Sequence, residues 1–217
     1  MAKGCADGGA GAATAACAAL RGHVFPIGTT AAGIARVDTN RINGSDIVTS
    51  GIDVLAQYTV DSLYNGQLTA GVQGTYTLNY KSDDFVDING ALLATGEDAN
   101  GKLNVTNPFF PLPPLKGAIF VKYVHGAQHF TYEMHYTAPY EDQQPGSQYP
   151  KIDSFVTHDL HYNVSFLNDK AQVSLSVLNL FDEDPPQTFT NLNYDPYTAS
   201  AFGRMIKVGF TYTLGGS

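Results

Sequence analysis

The chain has 217 residues and a formal net charge of −8, from 12 Lys+Arg against 20 Asp+Glu. Only 15% of its residues are charged, against about 25% in an ordinary soluble domain, and an acidic balance without basic clusters excludes nucleic acid as a partner. No apolar run reaches the roughly 18 residues of a transmembrane helix, whereas a membrane strand needs only about 9–11 alternating residues.

Residues 1–20 are rich in Ala and Gly, and Asp7 interrupts the run. They lack the apolar stretch of about 7–15 residues that a secretory leader needs, and read as a small-residue loop. Cys5 and Cys17 bracket most of that loop. A disulfide pinning it, in an oxidising compartment, is expected ahead of two free thiols.

From residue 50 onward the pattern is a long alternating strand, a short turn, a second long strand and a polar loop. Residues 52–60 place Ile52, Val54, Ala56, Tyr58 and Val60 on one face, with Asp53, Gln57 and Thr59 on the other. After a turn at 61–66, residues 67–80 set Leu68, Ala70, Val72, Tyr76 and Leu78 against Gln67, Thr69, Gln73, Thr75 and Asn79. Such alternation far outruns the ~5–6 residues of an ordinary strand. A loop rich in Asp, Asn, Gly and Pro spans 81–115. Strands follow at 116–124 and 128–137, joined by a tight turn, and a polar loop then leads to a strand at 152–164. A turn at Asn168-Asp169-Lys170 reverses it into 171–179, a third loop fills 180–202, and the last strand is 204–214.

The expected fold is all-β: an antiparallel up-and-down meander of about seven or eight long strands. Short turns at one end and long loops at the other, with strands this long and polar faces this poor in charge, favour an outer-membrane barrel over a soluble sandwich. Tyr58, Tyr80, Tyr123, Tyr136, Tyr162 and Tyr212 suit an interfacial aromatic girdle. Residues 49–214 are read as a partial transmembrane barrel, an open curved sheet whose first and last strands do not pair. Residues 1–48 are an extracellular loop with a partial strand near 31–47, and 215–217 are a tail.

One family carries a similar pattern. NLFDEDPP at 179–186, YDP at 194–196, Gly203-Arg204 and the closing GFTYTL at 209–214 resemble the C-terminal end of TonB-dependent outer-membrane receptors. TSGIDVLAQY at 49–58 is similar to a recurring strand start in that family. The resemblance covers about residues 30–214. It implies a bacterial outer-membrane location and energised uptake of a scarce nutrient such as an iron-siderophore, cobalamin or an oligosaccharide. It also implies partners: outer-membrane lipid, the nutrient ligand, a plug domain and further barrel strands, and through the plug the TonB complex. Nothing in the chain resembles the plug or its TonB-contacting box. Because barrels of this kind have about twenty-two strands, seven or eight read as a C-terminal portion.

Motifs for other chemistry are weak. GEDANGKL at 96–103 departs from a phosphate loop at Leu103, where a hydroxyl would be needed for Mg²⁺. His158 and His161 fall on opposite strand faces, and His129 and His135 lie about 20 Å apart along one strand, so no metal site is expected. Asp83-Asp84 and Asp182-Glu183-Asp184 read as solvated loop acids rather than calcium loops. Without a Gly-x-Ser-x-Gly elbow, an enzyme is the weaker expectation, beside a passive porin or adhesin, and no cofactor is assigned. The candidate ligand contacts are the loop aromatics Phe109, Phe110, Tyr194 and Tyr197, together with Glu133 and His135, which share the polar face of one strand.

If Cys5 and Cys17 are bridged, the unreduced protein resists alkylation and takes up label only after reduction. Two thiols labelled without reductant would show the loop to be unpinned.

Overall fold

The computed structural model describes residues 24–26, 34–37, 44–86, 92–107 and 109–214. The Cys5–Cys17 pairing and the tail at 215–217 lie outside the described residues. The chain divides into two compact units, one of residues 1–48 and 81–98, the other of 49–80 and 99–217.

The described part of the first unit holds two small hairpins. Strands β1 (Val24–Pro26) and β2 (Ile34–Val37) pair only with each other. The partial strand expected near 31–47 is thus two things. Residues 34–37 belong to this separate hairpin, and residue 47 already begins β3 (Ile47–Leu63). After β4 (Gly66–Ser82), β5 (Phe85–Val86) and β6 (Leu92–Ala94) form the second hairpin, inside a stretch the sequence presents as loop.

The second unit is built on a seven-stranded antiparallel sheet. Its remaining members are β7 (Leu115–His125), β8 (Gln128–Thr137), β11 (Phe155–Phe166), β12 (Ala171–Leu178) and β13 (Met205–Tyr212). The order is β13-β12-β11-β8-β7-β4-β3, so each long strand pairs with its neighbour in sequence and β3 and β13 are edges. The sheet is open, as expected. Two more short strands, β9 (Tyr140–Glu141) and β10 (Lys151–Ile152), pair with each other within the connection from β8 to β11. Residues 151–152 therefore do not start the strand expected at 152–164. Ile152 is instead packed with Leu103 and Tyr140 in the buried cluster of this unit, where its side chain leaves water.

The turns account for the registers. β3 runs three residues past Val60, and Tyr64 and Asn65 make the reversal with φ of 47° and 60°. Two successive left-handed residues give the turn whose twist matches paired strands. Side chains hold the hairpin in line. Gln67 donates to Asp61 at 2.7 Å, Thr75 donates to Asp53 at 2.6 Å, and Thr59 meets Thr69 at 3.0 Å. The Tyr123 hydroxyl donates to the Leu63 carbonyl at 3.2 Å, tying β7 to this turn.

The registers sort the side chains into two faces, because directly opposed residues point the same way. One row runs Leu68, Tyr123, Phe130, Tyr162, Leu175, Val208; the next runs Ala70, Val121, Tyr132, Leu160, Val177, Ile206. On the opposite face a row runs Thr69, Lys122, Thr131, His161, Ser176, Lys207. Among the described residues, no second layer packs against the apolar face: Tyr58 is 75% exposed and Val208 76%. A soluble sandwich would bury that face. The polar face carries one large buried side chain, Phe120, which lies across Gly71 and beneath the Lys122 ammonium at 4.9 Å. Any side chain at position 71 would collide with that ring, which gives the strand glycine its reason.

His158 also lies on the apolar face, opposite Met134. Its Nδ1 meets the Tyr132 hydroxyl at 2.7 Å, and the Phe181 ring packs edge-on at 4.8 Å between centroids. The polar atom is satisfied and covered, as a group on an apolar face requires.

Candidate functional site

Buried residues of the second unit gather in the connections rather than under the sheet. Residues 99–107, 109–114 and 138–154 are laced by backbone bonds, Leu103 N–H to the Glu141 carbonyl and Glu141 N–H to the Gly101 carbonyl, each at 2.8 Å, and the Gln144 amide ties in 179–204 by donating to the Phe189 carbonyl at 2.7 Å. Buried polar side chains supply what the irregular backbone lacks. Asn104 adopts φ 60° and donates its amide to the carbonyls of Ala99 and Phe110, both at 2.9 Å. Asp142 accepts from the Phe189 N–H at 3.1 Å and the Ser147 hydroxyl at 3.0 Å. Tyr140 donates to Asp195 at 2.7 Å, and the Thr198 hydroxyl donates to the same carboxylate oxygen at 2.7 Å.

The NLFDEDPP segment is a clamp. Asn179, in left-handed conformation at φ 51°, donates its amide to the Glu183 carbonyl and accepts from the Glu183 N–H, both at 2.9 Å. Its own N–H donates to Asp159 on β11 at 2.8 Å. Asp182 accepts from the Arg204 N–H at 2.6 Å, and the Arg204 guanidinium donates to the Leu180 carbonyl at 3.2 Å. Gly203, at φ 61°, leaves room for the Asp182 carboxylate. The Asn, Asp, Gly and Arg of the sequence motif thus fold the long connection back onto β13. The acids at 182–184 are partly structural in this way: Asp182 is a cap.

That clamp leaves a cleft of about 400 Å³ between the polar sheet face and the connection. Its floor includes His135, Thr157 and Asp159; Tyr197, Thr198 and Ser200 form a wall. Glu133 and Asp159 are directly opposed across β8 and β11. Like charges in that arrangement repel, and the His135 Nε2 sits 3.6 Å from Glu133 and 3.5 Å from Asp159, between them.

The candidate contacts named from sequence separate into groups. Glu133 and His135 are together, joined by Asp159, which the sequence does not single out; its place depends on the β8–β11 register. Phe110 and Tyr197 meet with ring centroids 5.3 Å apart and planes inclined by 60°, and Tyr197 reaches the cleft that His135 lines. Phe109 packs instead edge-on against Tyr80 at 5.5 Å. Tyr194 is half-buried and does not line the cleft; its carbonyl accepts from Thr190 at 2.9 Å. Among the described residues, no three His, Cys, Asp or Glu side chains are placed to hold a metal ion.

No family model matches the chain, and comparison with curated proteins and with solved structures likewise finds no match.

Burial raises the Tyr140 hydroxyl pKa well above its ordinary value. The Thr198 bond opposes that shift, and the neighbouring Asp195 and Asp142 carboxylates add to it. The folded chain keeps this proton where the unfolded chain loses it. The stabilisation is therefore complete below about pH 10 and is lost as the pH rises above that value. Tyr140→Phe should cost about 1–3 kcal/mol near neutral pH by depriving Asp195 of a donor. It should also flatten the decline in urea stability measured from neutral pH into the alkaline range.

Proposed function

We propose that the chain is the C-terminal barrel portion of a TonB-dependent outer-membrane receptor. Its polar face would line a wet lumen, and its apolar face would meet lipid. The observation that carries this reading is the division of one open sheet into a mostly apolar face with many exposed side chains and an opposite, hydrogen-bonding face. A monomer in water rarely leaves so large an apolar surface uncovered, whereas a barrel strand presents that face to hydrocarbon. Tyr123, Tyr162 and Tyr212 lie on the apolar side towards the short turns, and Tyr76 and Tyr136 towards the long connections. Two aromatic bands, one at each interface, are what a membrane barrel uses.

The receptor part of the reading rests on the clamp. NLFDEDPP, YDP and Gly203-Arg204 resemble the family's closing segment, and each has a structural role in folding the last long connection. Nutrient would be taken at the cleft and loop aromatics, with a plug and the remaining barrel strands supplied by the rest of the receptor. A passive porin would share the faces but not the plug, so a plug encoded in frame upstream separates the two.

Arg substitution measures the faces. In lipid vesicles, Leu175→Arg, Val177→Arg and Val208→Arg should each cost up to about 2–4 kcal/mol, most at Val177, which lies between the two aromatic bands, with Ser174→Arg and Thr211→Arg costing much less. Equal costs on the two faces would contradict membrane insertion.

A further inference from the structure

We infer that the cleft beside His135 and Asp159 binds a polyhydroxylated ligand free of anionic groups, an oligosaccharide by chemical class. The inference rests on the receptor reading for its role in uptake and selects the oligosaccharide class over the iron-siderophore class.

Charge is the first argument. The residues lining the cleft include Asp159 and no Lys or Arg, and Glu133 stands beside His135 at its edge. The neighbouring Arg204 has its guanidinium on the Leu180 carbonyl and its N–H on Asp182, so it is held by the clamp. Lys116 lines an adjoining depression that also contains Asp53 and His135. A carboxylate- or catecholate-rich iron complex would enter a site where fixed acids face it without a matched cation.

Shape and surface chemistry give the second. A volume of about 400 Å³ falls within the ~300–1,000 Å³ range of small-molecule sites. Carboxylate, imidazole and hydroxyl groups there offer several acceptors and donors to ligand hydroxyls. At the rim, Phe110 is 71% exposed and Tyr197 65% exposed, yet the two rings are in contact. Sugars present C–H faces that cover aromatic rings while their hydroxyls bond polar groups alongside, and this site offers both surfaces together.

Preorganisation is the third. The Tyr197 N–H donates to Asp195 at 3.0 Å, and Asp195 is buried and held by Tyr140 and Thr198. The backbone that carries the rim aromatic is therefore fixed before any ligand arrives, which lowers the ordering cost of binding.

The test uses the full chain in detergent micelles. Titration calorimetry is run with maltohexaose, xylohexaose and mannohexaose, and with hexagalacturonate as the anionic counterpart. At least one neutral hexasaccharide should bind, about tenfold or more tighter than hexagalacturonate at low salt, and Tyr197→Ala should weaken it about tenfold. Asp159→Asn keeps an acceptor for the Asn179 N–H and should raise hexagalacturonate affinity relative to the neutral sugar. The inference is overturned if no neutral hexasaccharide binds at about 10 mM. It is equally overturned if hexagalacturonate binds as tightly as the best of them, or if Asp159→Asn leaves their ratio unchanged. Vesicle insertion of the same preparation is scored separately. Sugar binding without insertion would overturn the receptor reading and leave the site standing; insertion without sugar binding would do the reverse.

Discussion

A β-strand turns successive side chains to opposite sides, and the long strands of this chain keep that alternation for as many as 17 residues. Everything else depends on it. With ladders that pair each strand to its sequence neighbour, period-two alternation yields a sheet with two unlike surfaces. A one-residue slip at any ladder would mix them. The two-residue reversal at Tyr64-Asn65 and the cross-strand bonds Asp61–Gln67, Asp53–Thr75 and Thr59–Thr69 hold the β3–β4 register. The price of that register is an exposed apolar face, which calls for lipid as its second solvent under the proposal above.

Because no second layer among the described residues covers the sheet, most buried contacts of this unit form elsewhere. They form among the connections, where a small apolar cluster of Leu103, Tyr140 and Ile152 is surrounded by satisfied polar groups. An isolated cluster of three side chains contributes little against the entropy of ordering loops this long. Hydrogen bonds between backbone groups and the side chains of Asn104, Asp142, Asn179 and Asp195 carry the rest. The result is a rigid rim around a cleft, which is where recognition is best placed on a scaffold of regular strands.

The seven strands and their faces are legible in the sequence because alternation is a local property. Residue 152 shows where locality ends: its isoleucine fits a strand start, and a tertiary contact with Leu103 and Tyr140 places it in another sheet. The hairpins β5–β6 and β9–β10 are too short to register as periodic. Glu133 and His135 are readable as neighbours on one face, but Asp159 joins them only through the pairing of β8 with β11. Phe110 and Tyr197 are 87 residues apart in sequence, and only the folding of the connections brings their rings together. The motifs at 179–186 and 203–204 are visible as a resemblance; that their Asn, Asp, Gly and Arg form a clamp follows only from the fold.

The central claim is that the two faces meet different solvents, and the absence of tryptophan from the chain makes it directly measurable. Single tryptophans would be placed at Leu175 or Val208 on one face and at Ser174 or Thr211 on the other. Each variant is then inserted into vesicles whose lipids carry bromine at mid-acyl depth. The account predicts strong quenching of fluorescence at 175 and 208 and weak quenching at 174 and 211. Equal quenching at all four positions, or none at any, would contradict it.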